Sequence, residues 1–420
     1  MKIKVKDLAY SRVLALPAEK PVKIRRPSRL LRALINIICA KELRKLNFRF
    51  TCVNMDGFDQ KQPCLYLMNH SSFLDLKIAE RILPQRFNIV CTSDAFVGQK
   101  WLLSALGCIP TAKFTTDTTL VRKMKYCLDK LRTSVLMFPE ASYSFDGTAT
   151  TLPYGLGKFI KMFKVPVVMV TTYGDFLYDP LYNGLQQRQV DVSATMEYML
   201  TPEQIEQMSV EQINDEVNKR FAFDNFRYQQ EKGIVIDEPF RADHLERVLY
   251  KCPHCQAEGQ MEGKGIYVTC HSCNKTYELT EHGFMRAQDG ETEIDHIPDW
   301  YMWERQCVRD DIESGTYKLD IDVDVLVLKG TKAVYNIGAG HLTHDVNGFH
   351  LVAADGELDY FQPSSASYSL YADYLWYEIG DVICIGNNAM LYYCFPKDRG
   401  VPVAKTRLAT EEIYRYTKNK

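Results

Sequence analysis

Four short apolar runs punctuate the first half of the chain: Cys64–Met68, Phe87–Cys91, Ser134–Phe138 and Val165–Thr171. None shows the strict in–out alternation of a half-solvated strand, so each reads as a strand covered on both faces. Between and after them lie stretches with helical spacing of apolar residues: Leu74–Ile82, Lys100–Ala105, Thr119–Leu131 and Gly157–Phe163. Strands alternating with helices predict an α/β domain built on a largely parallel sheet. Val190–Met199 adds a strand, and Thr201–Phe221 a helical stretch with cap residues at Thr201 and Ser209. Residues 222–248 are polar and aromatic and read as a connector, which places the α/β domain at 49–248.

The period changes after Tyr317. Ile321-Asp322-Val323-Asp324-Val325 alternates strictly, and further strands are expected at Thr331–Tyr335, Gly348–Ala353, Ser367–Tyr371, Val382–Cys384 and Met390–Phe395. Gly, Asn and Asp fill the turns between them. A piece carrying Trp300, Tyr301 and Trp303 predicts a helix, and Leu408–Thr417 a closing one. Residues 281–420 therefore read as a mainly-β domain with a closing helix, laid out like a small barrel or sandwich, in the manner of a pleckstrin-like module. At the other end, Pro17, Pro21 and Pro27 interrupt any early helix, and Ser28 caps one running from Leu30 to about Leu46. On it Arg29, Arg32 and Asn36 form a narrow polar stripe on an otherwise apolar surface. This basic segment, residues 1–48 with its amphipathic helix, suits either an anionic membrane surface or the flank of the enzyme core. Both hold if the helix is half buried.

Charge sharpens that reading. Over 420 residues the net charge is −2, with 46% hydrophobic and 25% charged residues, a globular composition that argues against a nucleic-acid binder. Yet Lys20, Lys23, Arg25, Arg26, Arg29, Arg32, Lys41, Arg44, Lys45 and Arg49 crowd one short stretch against a single acid, Glu42. Such a surface also suits an acidic acyl carrier protein. No apolar run reaches the ~18 residues of a spanning helix, and the N-terminus lacks the apolar segment of a secretory leader. A cytoplasmic protein, peripheral to the membrane, is the expectation.

Thirteen cysteines are present. Four of them stand as Cys252-Pro253-His254-Cys255 and Cys270-His271-Ser272-Cys273, two Cys-x2-Cys knuckles separated by fourteen residues. That spacing is the signature of a four-thiolate structural zinc site, with no ligand position left open for catalysis. Glycines at 259, 263 and 265 and the run Ile266–Thr269 complete a zinc ribbon over 249–280. The other nine cysteines show no paired spacing, as in a reducing compartment.

The chemistry concentrates at the end of the first apolar run, in Asn69-His70-Ser71-Ser72-Phe73-Leu74-Asp75. Residues five apart on one helix point about 140° away from each other, so His70 and Asp75 cannot meet inside a regular helix. They can meet if Ser72 caps the helix and Asp75 closes its first turn. Asp75 would then fix the imidazole tautomer, leaving the other nitrogen as a general base. On spacing alone the stretch reads equally as a capping box with an incidental histidine.

A second motif, Phe138-Pro139-Glu140-Ala141-Ser142-Tyr143-Ser144, follows the third apolar run, with Gly107–Lys113 and Val165–Val170 in order around it. Together the four stretches resemble the glycerolipid acyltransferase family, over roughly residues 40–220. The resemblance implies an O-acyltransferase of the 1-acylglycerol-3-phosphate type. In it His70 and Asp75 form the general-base dyad, and the acceptor hydroxyl is the nucleophile. Amides of Ser71–Phe73 hold the oxyanion, and Lys113, Glu140, Ser142 and Ser72 bind substrate. It implies an acyl thioester donor, acyl-CoA or acyl carrier protein, and a lysophospholipid acceptor. Three positions depart from the family pattern, which usually has Gly at 141, Arg at 143 and often Arg at 113. Tyr143 removes a base thought to hold the acceptor's phosphate. Lys158, Arg122 and Lys123 are candidate replacements, and a phosphate-free acceptor or a non-catalytic lipid-binding scaffold are the alternatives.

Overall fold

The computed structural model describes residues 2–114, 118–398, 400 and 403–419. The chain opens with β1 (Val5–Asp7) and α1 (Tyr10–Leu14), then crosses to α2 (Arg29–Lys45), whose N-cap Ser28 accepts from the Leu31 amide. The next elements are β2 (Arg49–Val53), β3 (Leu65–Met68), α3 (Asp75–Ile82), β4 (Phe87–Thr92), α4 (Lys100–Ala105) and β5 (Cys108–Thr111). After these come α5 (Thr118–Tyr126), which runs into a π turn at Cys127–Leu131, β6 (Ser134–Met137), α6 (Leu156–Phe163), β7 (Val167–Tyr173) and the short α7 (Asp175–Tyr178). Then β8 (Ser193–Leu200) leads into α8 (Pro202–Gln207) and α9 (Val210–Phe221), both opened by full capping boxes at Thr201 and Ser209. The single helical stretch read from 201–221 is thus two helices, because Ser209 starts a new cap.

These strands form one sheet in the order β2-β8-β7-β3-β6-β4-β5, parallel except for the β7–β8 pair. The fully buried β3 explains the unbroken apolar run. Leu65 and Leu67 point to one side with Ile160, Ile213 and Val217, and Tyr66 and Met68 to the other with Ile78, Ala79 and Leu43. No helix among the described residues is long and apolar enough to cross a membrane.

Of the polar stripe of α2, Arg32 and Asn36 face inward, and Arg29 is exposed. Arg32 forks onto Glu80 of α3 at 2.6 and 3.0 Å and donates to Phe87 O, and Asn36 donates to Glu80 O. Leu30, Leu34, Ile37 and Ile38 are left exposed on the outer side.

The stretch read as a connector is folded structure. It holds α10 (Asn225–Lys232), capped by Asp224, and buries Phe226, Ala242, Leu245, Val248 and Leu249. His244 N–H and Ala242 N–H donate to Gly263 O and Gly265 O of the following ribbon. A Cβ at Gly263 would meet Ala242 O at 2.3 Å, so this close approach requires glycine. The ribbon itself is a four-strand antiparallel sheet, β9 (Met261–Lys264), β10 (Tyr267–Cys270), β11 (Thr276–Leu279) and β12 (Met285–Ala287). Its last strand lies past residue 280, because the hairpin after the second knuckle pairs back onto β11.

Helix α11 (Ile297–Glu313) follows, then β13 (Leu319–Leu328), β14 (Val334–Asp345), β15 (Gly348–Ala353), β16 (Leu358–Pro363), β17 (Tyr371–Trp376), β18 (Gly380–Gly386), β19 (Leu391–Pro396) and α12 (Val403–Asn419). They form one continuous sheet, β16-β15-β14-β13-β19-β18-β17, with β1 added in parallel to β14. The alternating start of β13 has one wet face. Its end, Val325–Leu328, is apolar throughout because both faces are covered there. Val323, Val325, Ile383 and Cys394 look toward Ala404 and Leu408 of α12. Leu326, Leu328, Trp376, Val382 and Tyr393 look toward Val97, Ala112 and Phe114 of the α/β domain.

The second contact is tied by one buried carboxylate. Asp94 Oδ2 accepts from Tyr371 OH at 2.7 Å and from Trp376 Nε1 at 3.1 Å. Trp376 is 2% exposed and stacks on Tyr393 at 4.3 Å. Trp376→Ala is expected to cost about 3–5 kcal/mol, from the cavity and the lost donor. Urea titration measures it, and a loss below about 1 kcal/mol would mean that this contact does not hold the domains together.

Candidate active site and four-cysteine cluster

β3, β5, β6 and β7 end on the same edge of the sheet, where loops leaving parallel strands converge. The loop after β3 brings His70 Nδ1 to 2.7 Å from Asp75 Oδ2. The same oxygen accepts Ser71 N–H at 3.0 Å and Ser72 N–H at 3.3 Å. The helix starts at Asp75 itself, with Leu74 as its N-cap. Ser72 Oγ accepts from Leu74 N–H two residues on and donates to Asp179. The expected cap is therefore split: Asp75 reaches back to the Ser72 amide, while the Ser72 hydroxyl serves a tighter turn. Asn69 pins the strand end, donating to Thr172 Oγ1 and accepting from Thr172 N–H on β7.

The imidazole lies between two rings, Phe138 at 4.3 Å and Tyr143 at 4.0 Å between centroids. Burial, with the charge of Lys113 added, pushes its pKa well below the ordinary histidine value. Neutral His70 with its proton on Nδ1 leaves Nε2 as a basic atom with no protein partner among the described residues.

Behind Asp75 stands Asp175, at the start of α7. Burial pushes the Asp75 carboxyl up, against hydrogen bonds from Asp175 and the Ser72 and Ser71 amides that hold its ionised form. Asp175 is driven up by burial and by the Asp75 charge, while Thr172 Oγ1 donates to its Oδ2 at 2.6 Å. Asp75 Oδ1 and Asp175 Oδ1 are otherwise unpartnered buried atoms. The two carboxyls are both pushed up and interact, so they titrate as a pair, and a shared proton would satisfy these two atoms. Sequence reasoning missed Asp175 and Asp179. The available signal was two acids just past the end of a buried strand, where the other motifs also lie.

The loop after β6 supplies Glu140, whose two oxygens are both taken by backbone. Oε2 accepts His70 N–H at 2.7 Å and Oε1 accepts Thr150 N–H at 2.8 Å. Burial raises its pKa to about 7, against those amides. Glu140 thus fixes the His70 loop from within. Ala141 holds φ at 55°, the left-handed conformation that explains the family's preference for glycine there. Ser142 is 2% exposed, donates to Tyr143 O and accepts from Arg407. Ser72, at 1% exposure, is likewise engaged internally. Of the expected substrate-binding residues, Lys113 alone keeps a partly open side chain, its ammonium 4.0 Å over the Tyr371 ring. Of the three amides expected to hold an oxyanion, Ser71 and Ser72 are bound to Asp75, and only Phe73 is not.

Away from this site, Cys252, Cys255, Cys270 and Cys273 place their sulfurs within 4.8 Å of one another. The Cys252–Cys273 and Cys255–Cys270 separations are 3.8 and 3.7 Å. A tetrahedron with Zn–S bonds of about 2.3 Å has edges of about 3.8 Å, so the donor set fits zinc. His254 and His271 turn to Glu293 and Glu262 instead. Cys252 and Cys270 belong to the core that also buries Tyr277 and Trp300, whose rings meet at 5.0 Å.

Residues 49–173 match the acyltransferase family model. A chloroplastic 1-acyl-sn-glycerol-3-phosphate acyltransferase of Brassica napus is 30% identical over 116 residues, 27% of this chain and 33% of that one. A chloroplastic enzyme of the same name from Arabidopsis thaliana is 27% identical over 135 residues, 30% of this chain and 37% of that one. The aligned stretch spans about a third of the length of these curated relatives. The 1-acyl-sn-glycerophosphate acyltransferase of Thermotoga maritima aligns in structure over 45% of this chain and 76% of its own, at 15% identity and a TM-score of 0.36.

Two outcomes are expected. In 15N-histidine NMR, the resonance lost in His70→Ala should stay neutral and protonated at Nδ1 from about pH 8 down to about pH 6. A titration midpoint at or above about 6.5 would contradict the buried, cation-facing ring. The purified protein should carry one zinc per chain by elemental analysis, and Cys252→Ser should lose both the metal and a folded ribbon, read as a fall in thermal midpoint.

Proposed function

From a chain whose residues 49–173 carry an acyltransferase domain, we propose an O-acyltransferase of the 1-acylglycerol-3-phosphate type. It moves a fatty acyl group from an acyl thioester, on coenzyme A or a carrier protein, to a lysophospholipid hydroxyl. The observation that carries this reading is the 2.7 Å His70–Asp75 hydrogen bond with Nε2 left unpartnered at the strand edge. His70 Nε2 takes the proton of the acceptor hydroxyl as its oxygen attacks the thioester carbonyl. Asp75 holds the imidazolium that forms, and Asp175, by keeping its own proton, leaves that charge on Asp75. The tetrahedral intermediate then expels the thiolate, which takes the proton back from His70 and leaves as thiol. Phe73 N–H is the remaining local donor for the oxyanion. The chemistry uses no metal step, and the zinc at Cys252, Cys255, Cys270 and Cys273 is structural.

Position at a membrane follows from α2 under the same proposal. Leu30 is 84% and Ile37 68% exposed, and basic residues flank the apolar face. This arrangement suits an anionic lipid surface holding both substrates.

His70→Ala is expected to lower thiol release from acyl-CoA in the presence of lysophosphatidic acid by at least about 100-fold. Its thermal midpoint should stay near that of the native protein. Release within about threefold of native would overturn the general-base assignment, and no release from the native protein with coenzyme A or carrier-bound donors would favour a lipid-binding scaffold.

A further inference from the structure

Tyr143 stacks on His70 and Phe73 and leaves no cation at its position on the loop after β6. The basic residues nearest in sequence do not replace one. Lys158 and Arg122 are exposed, and Lys123 donates to Pro110 O. A cation arrives instead from the far end of the chain. Arg407, on the second turn of α12, is 4% exposed, with its guanidinium carbon 4.5 Å over the Phe145 ring. Its Nη1 donates to Ser142 Oγ at 3.3 Å, while Nη2 has no partner among the described residues.

Arg407 is not neutralised where it stands. Its Nε lies 3.5 Å from Glu411, but Arg305 holds that carboxylate at 2.8 Å, and Ser369 and Thr151 also donate to it. Glu412 is shared by Arg305, Arg309 and Arg415. Four guanidiniums thus share the two carboxylates Glu411 and Glu412, and Arg407 is the one of them that reaches Ser142. Lys113, over the Tyr371 ring, feels the charge of Arg407. Burial lowers its pKa, Asp373 and Asp94 oppose that, and Arg407 adds repulsion. Two cations that repel each other are an arrangement that a shared anion stabilises. Asp94 and Asp373 face Lys113, and Glu140 feels Arg407; with burial raising Asp373 to about 6 and Glu140 to about 7, Asp373 is mostly ionised near neutrality and Glu140 about half so.

We propose that Lys113 and Arg407, brought together by docking of the C-terminal domain, form the cationic end of the acceptor site and hold the phosphate of the lysophospholipid. Arg407 then fills the role of an arginine at position 143, with its fork open to a phosphate oxygen through Nη2. The proposal rests on the acyltransferase reading above. It gives the appended domain a part in substrate recognition, and makes the site incomplete without α12.

The test measures thiol release against concentration of a soluble short-chain lysophosphatidic acid for the full-length native protein, Arg407→Gln and Arg407→Lys. Arg407→Gln should raise KM about tenfold or more, from loss of a charged hydrogen-bond partner, and Arg407→Lys by a smaller factor. A merely structural role would lower kcat through the folded fraction and leave KM where it was. KM within twofold of native in both variants overturns this inference alone. If Arg407→Gln does not fold, Arg407→Lys decides: a KM rise of about threefold supports the proposal and an unchanged KM overturns it. Native protein that transfers acyl groups only to monoacylglycerol overturns the inference and leaves an acyltransferase with a phosphate-free acceptor. Native protein that releases no thiol with any acceptor overturns the function as well.

Discussion

Asp75 Oδ2 accepts three hydrogen bonds, from one imidazole and two consecutive amides, and much of the site is built to make that possible. Fully buried at 0% exposure, the Asp75 carboxyl has no water to bond with and depends on protein donors. The loop after β3 therefore folds back so that Ser71 and Ser72 turn their N–H groups inward. That return requires a strand end held in place, which Asn69 and Thr172 provide across β3 and β7. It also requires the His70 amide to be fixed, which Glu140 does from β6. Three neighbouring parallel strands thus contribute one side chain each to the conformation of one short loop.

The same economy of charge extends to the domain contact. Asp94 carries the Tyr371 and Trp376 hydrogen bonds that seat the C-terminal sheet on the α/β domain. Lys113 is packed against the seam by Tyr371, and Arg407 enters it from α12. The β17–β18 turn that borders the seam holds Leu375, Tyr377 and Glu378 at positive φ, a costly backbone that persists only where the surroundings impose it.

Much of the α/β domain is legible from the sequence because its strands are buried on both faces and its helices carry strong caps. Ser28, Thr201 and Ser209 cap where their hydroxyl chemistry says they should. What local pattern could not convey is long-range. Residues 222–248 look polar, yet their few apolar side chains find the ribbon and α11. The polar stripe of α2 does not say which face of that helix meets the domain until Glu80 is seen beneath Arg32. At the site, the spacing of His70 and Asp75 left their pairing open, and it is made with Leu74 rather than Ser72 as the helix cap. Asp175 and Arg407 lie 105 and 337 residues from His70 and share no motif with it. Glu140, Ser142 and Ser72 carry internal hydrogen bonds that no local pattern announces.

The pairing of β1 with β14 makes the segment before the α/β domain part of the C-terminal sheet. Tyr10 and Val13, on α1, are buried in the same core as Leu342, Leu408 and Ile413. The residues of β1 therefore find their partner strand only more than three hundred residues further along the chain. The α/β sheet can collapse early around its local contacts, whereas the C-terminal sheet and the amino-terminal strand close in a late, high-contact-order step. Until then the seam that will hold Lys113 and Arg407 does not exist. A chain cut before α12 would thus keep the His70–Asp75 hydrogen bond and lose the side chain that reaches Ser142 from the other domain.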